Sequence, residues 1–243
     1  MKTLEELIPQ MSARSVVLSL LLGMRSGSLP VSSIIKVIKP LGFSAPALRT
    51  ALSRMVANDD LDASGGVYTL AQRHQIRRGV QEERVNPELL VGGTGWKMAV
   101  ITVAGRDAPS RAATREVLRE HRYAELCNGV WLRPDNLAKS LPPMSEIQVF
   151  QAQHADEHKL VAYLWDLPAW AAEADLIIKA LDPENEPSAR FAAAAAAVRH
   201  LRSGPVLPAH LQPNNWPAKR LRNKYENYRH YIAQLASERI EDL

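Results

Sequence analysis

The stretch "SAPALRTALSRM", Ser44 to Met55, decides the fold of the N-terminal part of the chain. Ser44 is a predicted N-cap, and Pro46 lies in the first turn, where its missing N–H does no harm. At about 100° per residue, one half of the helix is apolar; it holds Leu48, Ala51, Leu52, Met55 and Val56. The other half is polar and cationic and lacks a carboxylate; it carries Arg49, Thr50, Ser53 and Arg54.

This polar half has the chemistry that the DNA major groove asks of an inserted helix. Arginine pairs with both O6 and N7 of guanine, while threonine and serine hydroxyls bond bases or phosphates. A glutamate on the same face would repel phosphate, and none is present there. An ordinary amphipathic surface helix is the alternative interpretation of the pattern. The flanking sequence has to distinguish this alternative from a DNA-binding helix.

No Asp or Glu occurs from Ser12 to Asn58. The cations of this acid-free stretch are Arg14, Arg25, Lys36, Lys39, Arg49 and Arg54. A local positive field of this kind suits a polyanion, although a merely soluble surface is also compatible with it. A second basic cluster, "WPAKRLRNKYENYRHY" near the C-terminus, is interpreted as the solvated face of a helix.

The flanking segments supply the remaining parts of a winged helix-turn-helix. "SARSVVLSLLLGMR" predicts a helix capped by Ser12, and "VSSIIKVIKPLG" predicts a second helix that ends at Pro40 and Gly42. Ser64-Gly65-Gly66 lies between two short β-prone runs, which predicts a hairpin. A polar helix over about 71–83 leads out of this unit.

DNA contacts are therefore expected from the third helix, from the hairpin tip through backbone N–H groups, and from the start of the first helix. For the first helix, simple helix capping is the alternative. The predicted DNA-binding residues are Arg14, Ser15, Ser44, Ala45, Arg49, Thr50, Ser53, Arg54, Ser64, Gly65 and Gly66.

The sequence changes character after "GGTG" at Gly92–Gly95, which indicates a linker. "WKMAVITVAG" predicts a buried strand, "SRAATREVLREH" an amphipathic helix, and Asn128-Gly129 a hairpin between two short strands. "NLAKSLPP" is interpreted as a short helix and "IQVFQAQ" as a last strand. The order β-α-β-β-α-β favours a ferredoxin-like sheet.

The remainder of the chain is predicted to be helical and to serve dimerisation and effector binding. The expected fold class is α+β, with a winged helix-turn-helix at 1–88, a ferredoxin-like domain at 89–156 and a helical domain at 157–243. Two DNA-binding heads are expected in a homodimer, because one helix reads only a few base pairs.

The composition of the 243-residue chain excludes several classes. No run of about 18 apolar residues is present, so no membrane association is expected, and the N-terminus lacks the layout of a signal peptide. A single cysteine, Cys127, excludes internal disulfides and a cysteine-based zinc site and fits a reducing, cytoplasmic location. No cofactor-binding fingerprint is present, and neither a cofactor nor a metal is predicted.

Three blocks of the sequence resemble the PaaX family of phenylacetic acid degradation operon repressors. The first runs from "ARSVVLSLL" through "LGFSAPALRTALSRMVANDDLDAS" to "GVYTLA". The second is "YAELCNGVWLRP" at Tyr123 to Pro134, and the third combines "LWDLPAW" with "LPAHLQPNNWPA". The resemblance implies a dimeric transcriptional repressor of an aromatic-compound catabolic operon, released from its operator by an aryl-CoA thioester such as phenylacetyl-CoA.

The resemblance also implies that the central domain is similar to the small ferredoxin-like nucleases of CRISPR systems, which leaves a metal-dependent nuclease as the alternative function. Those nucleases hold a metal with an Asp near the end of the first strand. Here no carboxylate follows that strand until Asp107, so an enzyme is not expected. His154 and His158 are four apart, which makes a metal site conceivable, but a strand-to-helix junction is the preferred interpretation.

A CoA thioester requires Arg or Lys near an aromatic-lined pocket. The effector-binding candidates are Arg115, Arg119, Trp131 and Arg133. The alternative is that Trp131 belongs to the core and that the arginines are solvated.

Overall fold

The computed structural model describes residues 4–7, 11–90, 92–103, 105 and 107–238. The predicted lack of a signal segment rests largely on residues 1–3 and 8–10, which lie outside the described residues. Helices and two antiparallel sheets are combined, so the predicted α+β class is confirmed. Along the described ranges, no helix has both the length and the apolarity needed to cross a bilayer.

The α-helices are α1 (Leu4–Leu7), α2 (Ala13–Gly23), α3 (Val31–Ile38), α4 (Ala45–Ala57), α5 (Gln72–Val85), α6 (Ala108–Glu120), α7 (Glu157–Leu164), α8 (Leu167–Ala180), α9 (Pro187–Ser203) and α10 (Ala218–Ser237). Short 3-10 helices occupy Lys39–Leu41 and Ala209–Leu211. The strands are β1 (Ser28–Pro30), β2 (Leu61–Ser64), β3 (Val67–Leu70), β4 (Trp96–Ile101), β5 (Ala124–Cys127), β6 (Val130–Pro134) and β7 (Ile147–Ala152).

The helices α2, α3 and α4 form where the sequence predicts them. Ser12 caps α2 by accepting from the backbone N–H of Ser15, and Ser44 caps α4 by accepting from that of Ala47. The apolar sides of α3 and α4 face the core, and their innermost residues are at most 1% exposed: Ile34, Ile38, Leu48, Leu52 and Met55. The cationic half of α4 therefore faces away from this core.

The predicted hairpin joins β2 to β3 through Gly65 and Gly66, whose φ values of 56° and 77° are both positive. A type I′ turn needs positive φ at both central positions, which glycine adopts without strain. The sheet has a third strand, β1, in the order β1-β3-β2. The sequence did not predict β1, since it is three residues long and pairs with a strand far along the chain.

The second sheet has the strand order β5-β6-β4-β7, with every neighbouring pair antiparallel. The apolar residues cluster on both faces of this sheet. One cluster contains Ala99, Leu118, Tyr123, Trp131 and Ile147, and the other contains Trp96, Leu132, Leu160, Val161, Leu167, Leu207 and Leu211. Leu118 on α6 and Leu160 on α7 belong to opposite clusters, so a helix lies against each face.

The predicted second helix of the β-α-β-β-α-β order is wrong, because residues 136–143 are not helical. Their backbone groups are used by a neighbouring segment instead: the N–H of Leu90 donates to Asn136 O, and that of Ala138 donates to Glu88 O. The Asn136 amide also donates to Val206 O at 3.0 Å. A helix would have to break these bonds, so the segment stays extended.

The chain divides into two compact units, and neither is continuous in sequence. The first comprises Met1–Val85, Glu173–Arg199 and Pro217–Leu243, and the second comprises Asn86–Ala172 and His200–Trp216. The region predicted as one helical domain, 157–243, therefore contributes to both units. The predicted boundaries after residues 88 and 156 stay a prediction.

Candidate nucleic-acid interface

The polar half of α4 is open to solvent. Its four predicted contact residues, Arg49, Thr50, Ser53 and Arg54, are all exposed. Neither Arg49 nor Arg54 has an ion-pair partner among the residues that the structure describes. Because Leu48 and Leu52 on the opposite half are completely buried, the two guanidinium groups are carried on a helix whose rotation is fixed.

The two hydroxyl groups on this face are oriented by the helix itself. Thr50 Oγ1 donates to Pro46 O, and Ser53 Oγ donates to Arg49 O, both at 3.1 Å. With its proton used in this way, each hydroxyl presents lone pairs outward and acts as an acceptor. In this rotamer the Thr50 and Ser53 hydroxyls can accept hydrogen bonds from the amino groups of bases. To donate to a phosphate, each hydroxyl would have to rotate away from the helix carbonyl that it now bonds.

The same unit contains a buried carboxylate, Asp60, that the sequence did not predict. Asp60 has a fully buried side chain that accepts from Arg14 Nε at 2.7 Å, Arg14 Nη2 at 2.8 Å and Arg73 Nη2 at 2.6 Å. His74 Nε2 lies 2.9 Å from the same carboxylate. The hydrogen bonds from Arg14, with those from His74 and Arg73, hold the pKa of Asp60 far below its usual range despite its burial. The sequence signal for a buried carboxylate was the run "ANDDLD" at 57–62, but the pattern does not tell which of its three aspartates is buried.

Asp60 changes the interpretation of the first helix. Arg14 remains half exposed but is neutralised by Asp60, and Ser15 shares a 2.9 Å hydroxyl–hydroxyl contact with the cap residue Ser12. These contacts favour the capping and packing alternative for Arg14 and Ser15. Of the other cations in the acid-free stretch, Lys36 pairs with Glu238 at 3.2 Å. Arg25 and Lys39 are exposed and, within the described ranges, have no ion-pair partner.

The hairpin tip lies at the surface of the same unit. Ser64, Gly65 and Gly66 are all exposed, and Gly66 O accepts from the N–H of Val31 at 2.9 Å. This bond ties the tip to the first residue of α3. At the start of α4, Ser44 is exposed while Ala45 is partly buried, and the Ser44 hydroxyl is already used by the cap.

The predicted effector residues do not form one open site. Trp131 and Arg133 are 1% and 2% exposed, and Arg133 lies over the Tyr123 ring and donates to Lys139 O. Arg119 lies over Trp131 with 5.7 Å between its Cζ and the ring centroid. The core interpretation of Trp131 is therefore favoured, and Arg133 is a buried arginine on the same strand.

Among these candidates, Arg115 lines a surface cavity whose volume is about 300 Å³. The cavity also contains Arg111 and the turn at Asn128 and Gly129. Arg115 is partly neutralised by Glu125 at 3.1 Å. The cavity is large enough for part of a small organic anion, but none of the described residues that line it is aromatic.

Two of the residues considered for metal binding, Asp107 and His154, bond to nearby backbone groups instead. Asp107 caps α6 by accepting from the N–H of Ser110 at 2.8 Å, and His154 Nδ1 lies 2.7 Å from Asp156 O. In the described part of the chain, no group of three or more His, Cys, Asp or Glu residues is placed to hold a metal ion.

Comparison with known proteins highlights the same segment that carries the surface described above. A family model described as PaaX-like protein matches residues 12–74, which span α2 to the start of α5. Among solved structures, the uncharacterized protein Rv0674 from Mycobacterium tuberculosis is 35% identical with a TM-score of 0.85. The alignment covers 93% of this chain and 98% of that one. No curated protein matches significantly.

The matched residues contain all parts of the surface described above: the capped helices, the cationic half of α4, Asp60 and the glycine hairpin. The motifs that suggested the resemblance thus coincide with the segment that the family model recognises. The chain belongs to the PaaX-like family, whose members are regulatory rather than catalytic proteins.

Proposed function

We propose that this protein is a DNA-binding transcriptional repressor of an aromatic-compound catabolic operon of the phenylacetate type. Its N-terminal part, to about residue 88, acts as a winged helix-turn-helix. The segment 89–156 acts as a ferredoxin-like domain that lacks the second helix, and the helices beyond it contribute to dimerisation and effector binding. Membership of the PaaX-like family supports the regulatory class.

The observation that carries the proposal is the pair of exposed arginines on α4, which have no ion-pair partner among the described residues. Arg49 and Arg54 project from a face without a carboxylate, while the opposite face is locked into the core. In the major groove, arginines at such positions bind guanine edges or phosphates. Thr50 and Ser53 lie between them in the chain and present acceptors, so this one face combines charge with the capacity to read bases.

The hairpin tip supports the same docking mode. Two glycines without side chains let the backbone N–H groups approach a phosphate closely. The bond from Val31 to Gly66 fixes the hairpin tip relative to the start of α3. Ser44 and Ala45 lie at the N-terminus of α4, whose partial positive charge favours a phosphate.

We further propose that an aryl-CoA thioester releases the repressor, as the family resemblance implies. Arg111 and Arg115, which line the 300 Å³ surface cavity, are the candidates for binding its phosphates. Effector binding would favour a state of the homodimer in which the two heads no longer fit successive half-sites, which is a population shift.

A selection from a random duplex library tests this function. We expect the purified chain to enrich an inverted repeat and to bind it at least about 1,000-fold more tightly than random DNA at physiological salt. An aryl-CoA should then release the enriched duplex, whereas free CoA should not. Equal affinity for every duplex would overturn sequence-specific repression, and cleavage of the duplex with Mg²⁺ would favour the nuclease alternative.

A further inference from the structure

Arg133 on β6 carries a positive charge into the interior of the second unit. The residue is 2% exposed, and its Nη2 donates to Lys139 O at 2.8 Å. Among the residues that the structure describes, its Nε and Nη1 have no hydrogen-bond partner and no carboxylate forms an ion pair with it. Buried arginines are normally paired with an anion, because an unpaired charge is costly to remove from water. Arg133 therefore lacks the partner that its burial requires.

A second donor on the same face of the sheet also lacks an acceptor. Trp131 lies two residues before Arg133 on β6, so the two side chains point to the same face. Trp131 is 1% exposed, and within the described ranges its indole Nε1 has no hydrogen-bond partner. A buried indole N–H normally has one. Three nitrogens from two nearby side chains are thus left without an acceptor, and since all three are donors, they cannot satisfy one another.

Two carboxylates on nearby segments are already engaged. Asp135 follows β6, and its Oδ2 lies 3.4 Å from Lys97 Nζ. Glu125 faces Trp131 across the β5–β6 pair, and its Oε1 lies 3.1 Å from Arg115 Nη2. Both carboxylates therefore neutralise other cations and leave the charge of the buried arginine uncompensated.

Tyr123, which contacts the guanidinium group, does not supply the missing negative charge. The Cζ atom of Arg133 lies 5.2 Å from the centroid of the Tyr123 ring. Burial raises the pKa of Tyr123, so its phenol stays neutral at physiological pH. Tyr123 and Trp131 belong to the apolar cluster on the α6 side of the sheet, with Ala99, Leu118 and Ile147. The unsatisfied donors are therefore set in apolar surroundings, where a charge-assisted hydrogen bond is strong.

We propose that Arg133 and Trp131, on the α6 side of the sheet, bind the carboxylate group of a small organic acid. The carboxylate accepts from the guanidinium and from the indole N–H, and it supplies the one negative charge that the arginine lacks. A water molecule would satisfy the N–H groups but would leave this charge unpaired. A phosphate dianion would bring a second negative charge with no buried cation to meet it. The surrounding apolar side chains contact the carbon atoms of the acid.

The burial of the two residues limits the size of the acid. Because both are almost inaccessible, only a short acid such as acetate or propionate fits without displacing the core. Arg133 is bonded to Lys139 O in the exposed segment 138–140, and a shift of this segment opens a path to the guanidinium. Neither Arg133 nor Trp131 lines the 300 Å³ cavity or belongs to α4 or the hairpin. The site is thus distinct from both and does not rest on the proposed function.

Thermal unfolding of the full chain in sodium acetate, and in sodium chloride at equal ionic strength, tests the site. Acetate should raise the melting temperature of wild type by at least about 3 °C beyond chloride along a saturating curve, because a ligand that binds only the folded state stabilises it. Arg133→Met should lose this rise, since methionine fills similar space without a charge. Arg115→Met is the matched control: it removes an arginine from the surface cavity of the same unit and should keep the rise.

No rise with acetate in wild type, or an equal rise in Arg133→Met, would overturn the proposal. Should Arg133→Met fail to fold by circular dichroism, Trp131→Phe decides instead. Removing the indole N–H should raise the acetate concentration at half-saturation about 5-fold, and an unchanged concentration would contradict the site. Loss of the site would leave the proposed function intact, because DNA binding is measured with duplexes in acetate-free buffer.

Discussion

Arg14 and Asp60 are joined by two hydrogen bonds, from Nε to Oδ2 at 2.7 Å and from Nη2 to Oδ1 at 2.8 Å. They tie the first turn of α2 to the residue immediately before the hairpin. Asp60 also accepts a hydrogen bond from Arg73 on α5, and its backbone N–H donates to Met55 O in α4. One buried carboxylate thus connects three helices and the hairpin that together form the candidate DNA surface.

Replacing Asp60 should destabilise the N-terminal part more than replacing its exposed partner. Asp60→Ala leaves two guanidinium groups without their shared acceptor and should lower the free energy of unfolding by about 3 kcal/mol. Arg14→Ala should lower it by only about 1 kcal/mol, since Arg73 and His74 still satisfy the carboxylate. Urea unfolding of the two variants measures the difference, and equal losses would refute the central role of Asp60.

The lowered pKa of Asp60 gives a direction to the pH dependence. A carboxylate whose pKa is lowered by folding contributes stability that is complete above its unfolded pKa, about 3.9, and is lost as the pH falls below it. Asp60→Asn removes this titration. The stability advantage of wild type over Asp60→Asn should therefore be constant above about pH 5 and should narrow towards pH 2. Unfolding curves across this range check the trend, which an advantage growing in acid would contradict.

The turn between β2 and β3 should accept asparagine and reject a β-branched residue at the same position. Gly65 has φ of 56°, which is costly for valine but accessible to asparagine, a favoured residue of type I′ turns. Gly65→Val should lower stability by about 1–2 kcal/mol, whereas Gly65→Asn should change it by less than about 0.5 kcal/mol. Thermal unfolding of the pair measures this, and equal melting temperatures would show that the turn conformation is unimportant.

Two glycines outside turns should respond to alanine in opposite directions. A Cβ on Gly204 would meet Trp170 Nε1 at 2.2 Å, so Gly204→Ala should destabilise the second unit by about 1–3 kcal/mol. Gly79 lies inside α5 with nothing within 4 Å of an added Cβ. Gly79→Ala should therefore stabilise the first unit by up to about 1 kcal/mol. Denaturant midpoints compare the two, and a stabilised Gly204→Ala would contradict the packing against Trp170.

Local signals explain what the sequence predicted. The caps at Ser12 and Ser44 and the glycine turns depend on residues within a few positions, so α2, α4 and both hairpins could be predicted. The exposure of Arg49 and Arg54 followed from helical periodicity alone. Their role in DNA binding stays a prediction.

Long-range contacts explain what the sequence did not predict. Residues 136–143 have a helix-compatible composition, yet bonds to 88–90 and to Val206 hold them extended. The burial of Arg133 depends on Tyr123, the residue before β5. The selection of Asp60 among neighbouring acids depends on Arg14, 46 positions away. No local pattern contains these partners.

The most direct measurement of the central claim is the affinity of Arg49→Ala/Arg54→Ala for the DNA upstream of its own gene, by fluorescence anisotropy. Arg119→Ala/Lys159→Ala is the control, because it removes the same two charges from the second unit. The α4 variant should fold normally and bind at least about 100-fold more weakly, with a shallower salt dependence, while the control keeps wild-type affinity. Wild-type affinity in the α4 variant, or an equal loss in both, would contradict recognition of DNA by this helix.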